Sequence, residues 1–333
     1  MRTPWLCSPG TPCRYVSEVA LQPPPEHLDA AVRLLVASSE AIEAVSPTAR
    51  RGCHPLLIPL ARDASSGAVT GLLRWPTSAD AARGMPLVRT ARGGANLELL
   101  ALSAREYAHR RLAEADMEGE EAYVAAVDAA GERTAQLYAK GDFAATGLPA
   151  LAYLTRHVGR FPDVIEGLCE GHLSRGDEIS GLTAAELPTK SNWFPGFART
   201  YAYLAERLHE TDRPLEQRDI ARAALRLPWW SLGASDFYRT AELAQYGAAE
   251  EVTADFVIER IAAERAAEEG EAATKPDPAT KALNDAHNLM CTVAAREGGV
   301  WAEEEVTRLA ELLEKGNCPG AAHFVSAWHD SED

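Results

Sequence analysis

Apolar positions along the chain change their spacing twice. Leu28, Ala31, Val32, Leu35 and Ile42 fall near one face of a helical period, which predicts a helix from His27 to Val45. Ser46-Pro47 ends it, because the residue before proline avoids helical backbone. Between His54 and Pro76 the pattern shortens. "LLIPLA" at 56–61 and "VTGLLRW" at 69–75 flank the polar "DASSG", which predicts a β-hairpin. Pro59 lacks an amide hydrogen, so its strand is expected at an edge or a bulge. With a side-chain period of two, Leu57 shares its face with only one of Leu72 and Leu73, and that face is expected to pack on helix. "MPLVRT" and "NLELLAL" add two further runs around the turn "ARGG". Ser103 and Glu106 have capping-box spacing and open a helix over 103–116. Residues 26–116 therefore read as a small α+β unit with a three- or four-stranded antiparallel sheet. The proline-rich residues 1–25 read as an extended lead.

From residue 120 the signal becomes helical and periodic. Turn-like tips recur at Gly141, Gly176, Asp212 and Gly247, each preceded by a leucine (Leu137, Leu173, Leu208, Leu243). A helical pattern lies on both sides of each tip. A period near 35 residues with paired helices resembles the tetratricopeptide (TPR) family. The best single match is Phe197 to Pro228, with Ala223 and Pro228 at the family's late alanine and closing proline. Asp212 departs from the usual small tip residue, and Glu216 stands where the family buries an alanine. The resemblance implies a mostly α chain: a TPR-like helix-pair array over 120–262 that follows the α+β unit. Residues 263–280 read as an acidic linker and 281–333 as capping helices.

Charge and composition narrow the function. The 333 residues carry a net charge of −16, which argues against sequence-independent nucleic-acid binding. No apolar window approaches the roughly 18 residues of a membrane span, and the first 20 residues lack a secretory apolar core. Six scattered cysteines show no framework spacing and read as thiols of a reducing compartment, cytoplasm or chloroplast stroma. The nucleophile-elbow, phosphate-loop, zinc-protease and dinucleotide motifs are absent. His287, Cys291, Cys318 and His323 are weighed as metal ligands and read as structural, so neither metal nor cofactor is expected. Cys53-His54 reads as a strand-entry pair, since adjacent strand residues point to opposite faces.

The aromatic residues are the candidate partner contacts. Trp229 and Trp230 follow the helix-ending Pro228. Packing between repeats is the leading reading for the pair, and exposure of one ring as an anchor is the other. With Trp193, Phe194 and Tyr203 they form the proposed partner-binding set. The chain thus reads as a non-catalytic scaffold or assembly factor that holds a protein or peptide in a helical-repeat groove. The alternative is an enzyme or anionic-ligand binder using His54, Arg89 and Arg92 between the α+β unit and the first repeats. The phrases "HPLLIPLA", "GLLRWPT" and "LVRT" resemble plant and algal plastid proteins with TPR-like helices, which implies a chloroplast assembly or stress role.

Overall fold

The computed structural model describes residues 12–77, 83–90, 94–131, 136–233, 236–248, 252–270 and 276–329. Its central layer is an antiparallel meander of five strands: β1 (Ile42–Ala44), β2 (Leu57–Asp63), β3 (Val69–Leu73), β4 (Leu87–Thr90) and β5 (Leu97–Ala101). The expected hairpin is β2–β3, with Leu57 opposite Leu73 and Ile58 opposite Leu72. The register slips between Pro59 and Ala61, so the proline sits at a bulge that relieves its missing donor. Gly71, opposite Pro59, has no room for a side chain, because a Cβ there would lie 2.1 Å from the Ile58 carbonyl oxygen.

The sheet has one strand more than the sequence pattern predicts. Helix α2 (Leu28–Ala37) stops short, and Ile42–Ala44 pairs with Ala61–Asp63 instead of extending it. Ser38 bonds its hydroxyl back to the Leu35 carbonyl at 2.7 Å, a local bond that competes with helix continuation. The lead is also corrected: Pro12–Glu18 forms helix α1, because Tyr15 and Val16 find a core to enter.

Both faces of the sheet are covered. Ile58, Leu60, Leu72 and Leu87 join a core with α1, α2, α3 (Ala104–Glu118) and α4 (Glu120–Ala130). Leu57, Val69, Leu73 and Val88 join a second core with the helical array and the C-terminal helices. Leu72 and Leu73 are therefore both fully buried, on opposite faces. The ribbon is the wall between two helical layers, where the side-chain period had placed only the face of Leu57 against helix.

The array begins irregularly. Gly141, at φ 87°, precedes the short α5 (Asp142–Thr146), which leads to α6 (Ala150–Tyr153) and a π-helical turn over Leu154–Val158. Two regular hairpins follow. Helix α7 (Pro162–Leu173) turns into α8 (Glu178–Lys190), and α9 (Arg199–Glu210) turns into α10 (Pro214–Leu225). Their tips, Gly176 and Asp212, have φ of 76° and 54°, the left-handed conformation that a sharp helix reversal requires. A 3-10 turn (Trp229–Ser231), α11 (Phe237–Leu243) and α12 (Ala254–Glu269) come next, with Gly247 in the connection. Helices α13 (Pro278–Ala295), α14 (Glu303–Lys315) and α15 (Pro319–Ser326) complete the described chain.

The last helix returns to the first layer. Buried Arg50 donates to the Phe324 carbonyl at 2.7 Å and to the Leu57 carbonyl at 3.3 Å. It also bonds the Pro55 carbonyl, and its guanidinium lies 3.8 Å from the Phe324 ring centroid. Arg74 stands on the same ring at 5.7 Å and donates to the Ala20 carbonyl at 3.0 Å. Two buried cations thus tie α15, the ribbon and the N-terminal helices by carbonyl bonds, which satisfy their donors without a carboxylate.

Candidate functional site

A cleft of about 480 Å³ opens where the sheet, α2, α3 and the start of α7 meet. This is the place expected for an anionic ligand, between the α+β unit and the array. Arg89 lines it, but its guanidinium already pairs with Glu98 at 2.7 Å. Arg110 holds both carboxylate oxygens of Asp163, at 2.8 and 2.6 Å, and Glu114 at 2.7 Å. Arg111 pairs with Glu114 at 2.6 Å. Three guanidiniums face four carboxylates, because Asp63 also lines the cleft. Hydrogen bonds from Ser65 and Ser66 hold that carboxyl down at about 2, so it is charged at any physiological pH. The cleft is polar and internally neutralised, and it offers no excess positive charge to an anion.

The other two residues of that alternative do not join Arg89. Arg92 lies outside the described residues. His54 belongs to the opposite core: Arg89 shares the sheet face of Leu87, whereas His54 packs on Trp230 and Trp301 at 5.3 and 5.5 Å between ring centroids. Its Nδ1 accepts the Leu56 amide at 3.2 Å. Burial, helped by the charge of Arg50, lowers its pKa from 6.5 to about 3, so the ring is neutral and sealed. The His287–Cys291 pair approaches to 3.5 Å inside the protein. Burial pushes the thiol up to about 12 and the imidazole down to about 4, which makes a neutral contact. Among the described residues no group of three or more His, Cys, Asp or Glu side chains is placed to hold a metal ion. No described helix is long and apolar enough to cross a membrane.

Most of the aromatic partner-binding set lies inside. Trp229 and Trp230 are each 1% exposed, and Phe194 and Tyr203 are also buried. The two tryptophans point in different directions, but both directions are filled. Trp229 packs on Phe237 at 4.4 Å, donates its indole hydrogen to the Leu225 carbonyl at 2.8 Å, and has its amide against Cys291 of α13. Trp230 touches Trp75, Phe197 and His54. Neither ring is an exposed anchor, because the sheet and α13 close over the pair. Trp193 is half-buried under the Arg160 guanidinium at 4.7 Å. Tyr203 meets the surface at its hydroxyl, which donates to Glu170 at 2.7 Å.

That hydroxyl belongs to a feature which sequence reasoning missed. The leading helices of successive pairs are laced by charge. Glu166 on α7 takes a bidentate grip from Arg199 on α9, both contacts at 2.8 Å. Glu170 on α7 meets Arg207 on α9 at 3.1 Å, and Glu206 on α9 meets Arg239 on α11 at 3.1 Å. Arg110–Asp163 extends the ladder to α3. The two charges are not equally presented in every pair. The carboxylates of Asp163, Glu170 and Glu242 are 56, 53 and 52% exposed, while Arg110 and Arg207 are only 17 and 19% exposed. At Arg110–Asp163 and Arg207–Glu170 the carboxylate is the outer partner, whereas at Arg199–Glu166 and Arg239–Glu206 the two charges are covered about equally. The available signal was an acid and an arginine one repeat apart, as in Glu166–Arg199 and Glu206–Arg239.

Comparison with known proteins follows the same architecture. Residues 11–157 match the family model described as PAB N-terminal, and residues 162–247 match the PAB middle domain. The junction falls between the π-helical turn and α7, where the regular hairpins begin. The Arabidopsis thaliana protein named "Protein IN CHLOROPLAST ATPASE BIOGENESIS, chloroplastic" is 36% identical over 321 residues, covering 96% of this chain and 91% of the relative. No solved structure matches the chain. With both family models matched in order and a relative aligned along nearly its whole length, the chain belongs to the PAB family.

Proposed function

We propose that this chain is a plastid assembly factor in the biogenesis of the chloroplast ATPase, acting without catalysis by holding a partner protein on its helical array. The observation that carries the reading is the 36% identity across 96% of the chain with the Arabidopsis protein of that name. The geometry supports a scaffold over an enzyme. The cleft's arginines are neutralised by neighbours, and the buried histidines are neutral and out of reach. The α7–α8 and α9–α10 hairpins pack in succession, and stacked helix pairs bind through an extended face. The docking face is the strip over α7, α9 and α11, with Tyr203 at its middle and Trp193 among the aromatics nearest the surface.

The test is complementation. The chain, directed to chloroplasts, is expressed in Arabidopsis plants that lack the relative, and assembled chloroplast ATPase is measured. Restoration is expected. Failure to restore it, with the chain present in chloroplasts at normal abundance, would refute the reading. A Glu170→Gln, Glu242→Gln variant tests the docking face separately: it should accumulate normally and restore less complex.

A further inference from the structure

Four buried nitrogens in the seam between sheet and array have no partner among the described residues. They are His54 Nε2 and the indole Nε1 atoms of Trp75, Trp230 and Trp301. All four side chains are more than nine-tenths buried. They arrive from separate stretches: the entry to β2, the exit from β3, the 229–231 turn and the approach to α14. Their rings nevertheless touch in series. Trp301 lies 5.5 Å from His54, His54 lies 5.3 Å from Trp230, and Trp230 lies 6.1 Å from Trp75. Buried indoles elsewhere in the chain find carbonyls, Trp229 at Leu225 and Trp328 at Cys53. The unpaired aromatic-ring donors are therefore gathered in one cluster, while the other unpartnered buried atoms belong to charged side chains, Glu106, Arg207, Arg226 and Glu264.

Their chemistry is one-sided. Nδ1 of His54 accepts the Leu56 amide, so the uncharged ring carries its proton on Nε2. An indole nitrogen only donates. The cluster presents four N–H donors and no side-chain acceptor. Buried donors are paired in nearly every folded protein, and ordered water is the usual partner where the chain supplies none. We infer that this seam is an internal hydration site, in which water oxygens accept hydrogen bonds from His54 Nε2 and from the indole nitrogens of Trp75, Trp230 and Trp301. One water oxygen accepts about two such bonds, so the donors call for more than one molecule. The site joins the sheet, the array and the C-terminal helices, which supply one or two donors each.

The experiment is carried out on the full chain. In ¹⁵N-labelled protein, the indole hydrogen of Trp229, bonded to a carbonyl, serves as the internal reference. The indole hydrogens of Trp75, Trp230 and Trp301 should resonate close to it and show cross-relaxation with water. Single Trp→Phe variants assign the signals. A crystal structure needs no substitution and should show water within about 3.2 Å of each nitrogen. Signals shifted upfield of Trp229 without water cross-relaxation, and no density between the rings, would overturn the site and mean that the donors point at aromatic faces. An anion in that density, revealed by anomalous signal after bromide exchange, would overturn the assignment to water.

Discussion

Mild acid should loosen this fold through its two buried imidazoles. His54 is fully buried, and burial with the charge of Arg50 lowers its pKa from 6.5 to about 3. His287 is lowered to about 4 by burial, with Arg265 adding a smaller effect. Both rings are neutral in the folded chain and take up a proton on unfolding once the pH drops below 6.5. The unfolded state then binds more protons, so stability is whole above pH 6.5 and declines as pH falls toward the folded values. At pH 5 each ring sits about 1.5 pH units below its unfolded pKa, a loss of about 2 kcal/mol each and about 4 kcal/mol together. Against a typical stability of about 5–15 kcal/mol, this is a large share. Urea unfolding from pH 8 to pH 5 measures it. The His54→Asn variant keeps an acceptor near the Nδ1 position and cannot titrate. Its stability should vary with pH less steeply than wild type, by about 1.4 kcal/mol per pH unit near pH 5. Equal slopes in the two proteins would refute the neutral, buried imidazole.

Other perturbations test the packing. Trp229→Ala and Trp230→Ala should each cost about 3–5 kcal/mol, since both rings are core; a melting temperature near wild type for either would contradict that placement. Gly71→Ala drives a methyl into the Ile58 carbonyl and should cost about 2 kcal/mol or more in urea unfolding, with no loss expected if the strands can part freely. Arg50→Met leaves the Phe324, Leu57 and Pro55 carbonyls unpaired, at a cost of about 3 kcal/mol or more. It should also expose α15 to limited proteolysis, and an unchanged digestion pattern would count against the clamp.

The hairpin could be read from the sequence because two short apolar runs and a polar turn leave one local solution. The tips at Gly176 and Asp212 were readable for the same reason: a reversal after a leucine-bearing helix needs a positive φ, whereas Leu137 before Gly141 lies in a turn and not in a helix. Strand β1 was not readable. Ile42 fits the helical face begun by Leu28, and only pairing with residues about 20 positions later makes it a strand. The second core was hidden as well. A strand buried on both sides loses its polar alternation, so "VTGLL" identifies a strand but not what covers each face. At the candidate site the difficulty was distance along the chain. A tryptophan pair after a proline announces two large rings. The groups that bury them are Phe197, Phe237 and Cys291, the last some 60 residues away. The ladder's acids read locally as solvated charges, because each arginine partner lies a full repeat away.

These long-range pairs bear on how the array would act as a scaffold. A single half-exposed ion pair contributes about 0–1 kcal/mol, so the ladder is a weak source of stability. Its geometry matters more. Each arginine reaches from one leading helix to the next and lies mostly covered, as Arg199 does against Glu166 and Arg239 against Glu206. A bidentate guanidinium tolerates little sliding or rotation, so the links define the spacing and register of α7, α9 and α11. The exposed carboxylates of Asp163, Glu170 and Glu242 are then held on fixed helices before any partner arrives. Binding to a surface already ordered avoids the entropy of ordering it, which is the usual advantage of a preorganised scaffold. On this reasoning the buried aromatics and the exposed charges divide the work. Trp229, Trp230 and their neighbours hold the array against the sheet, and the ladder presents a fixed face to the protein that the array is proposed to hold.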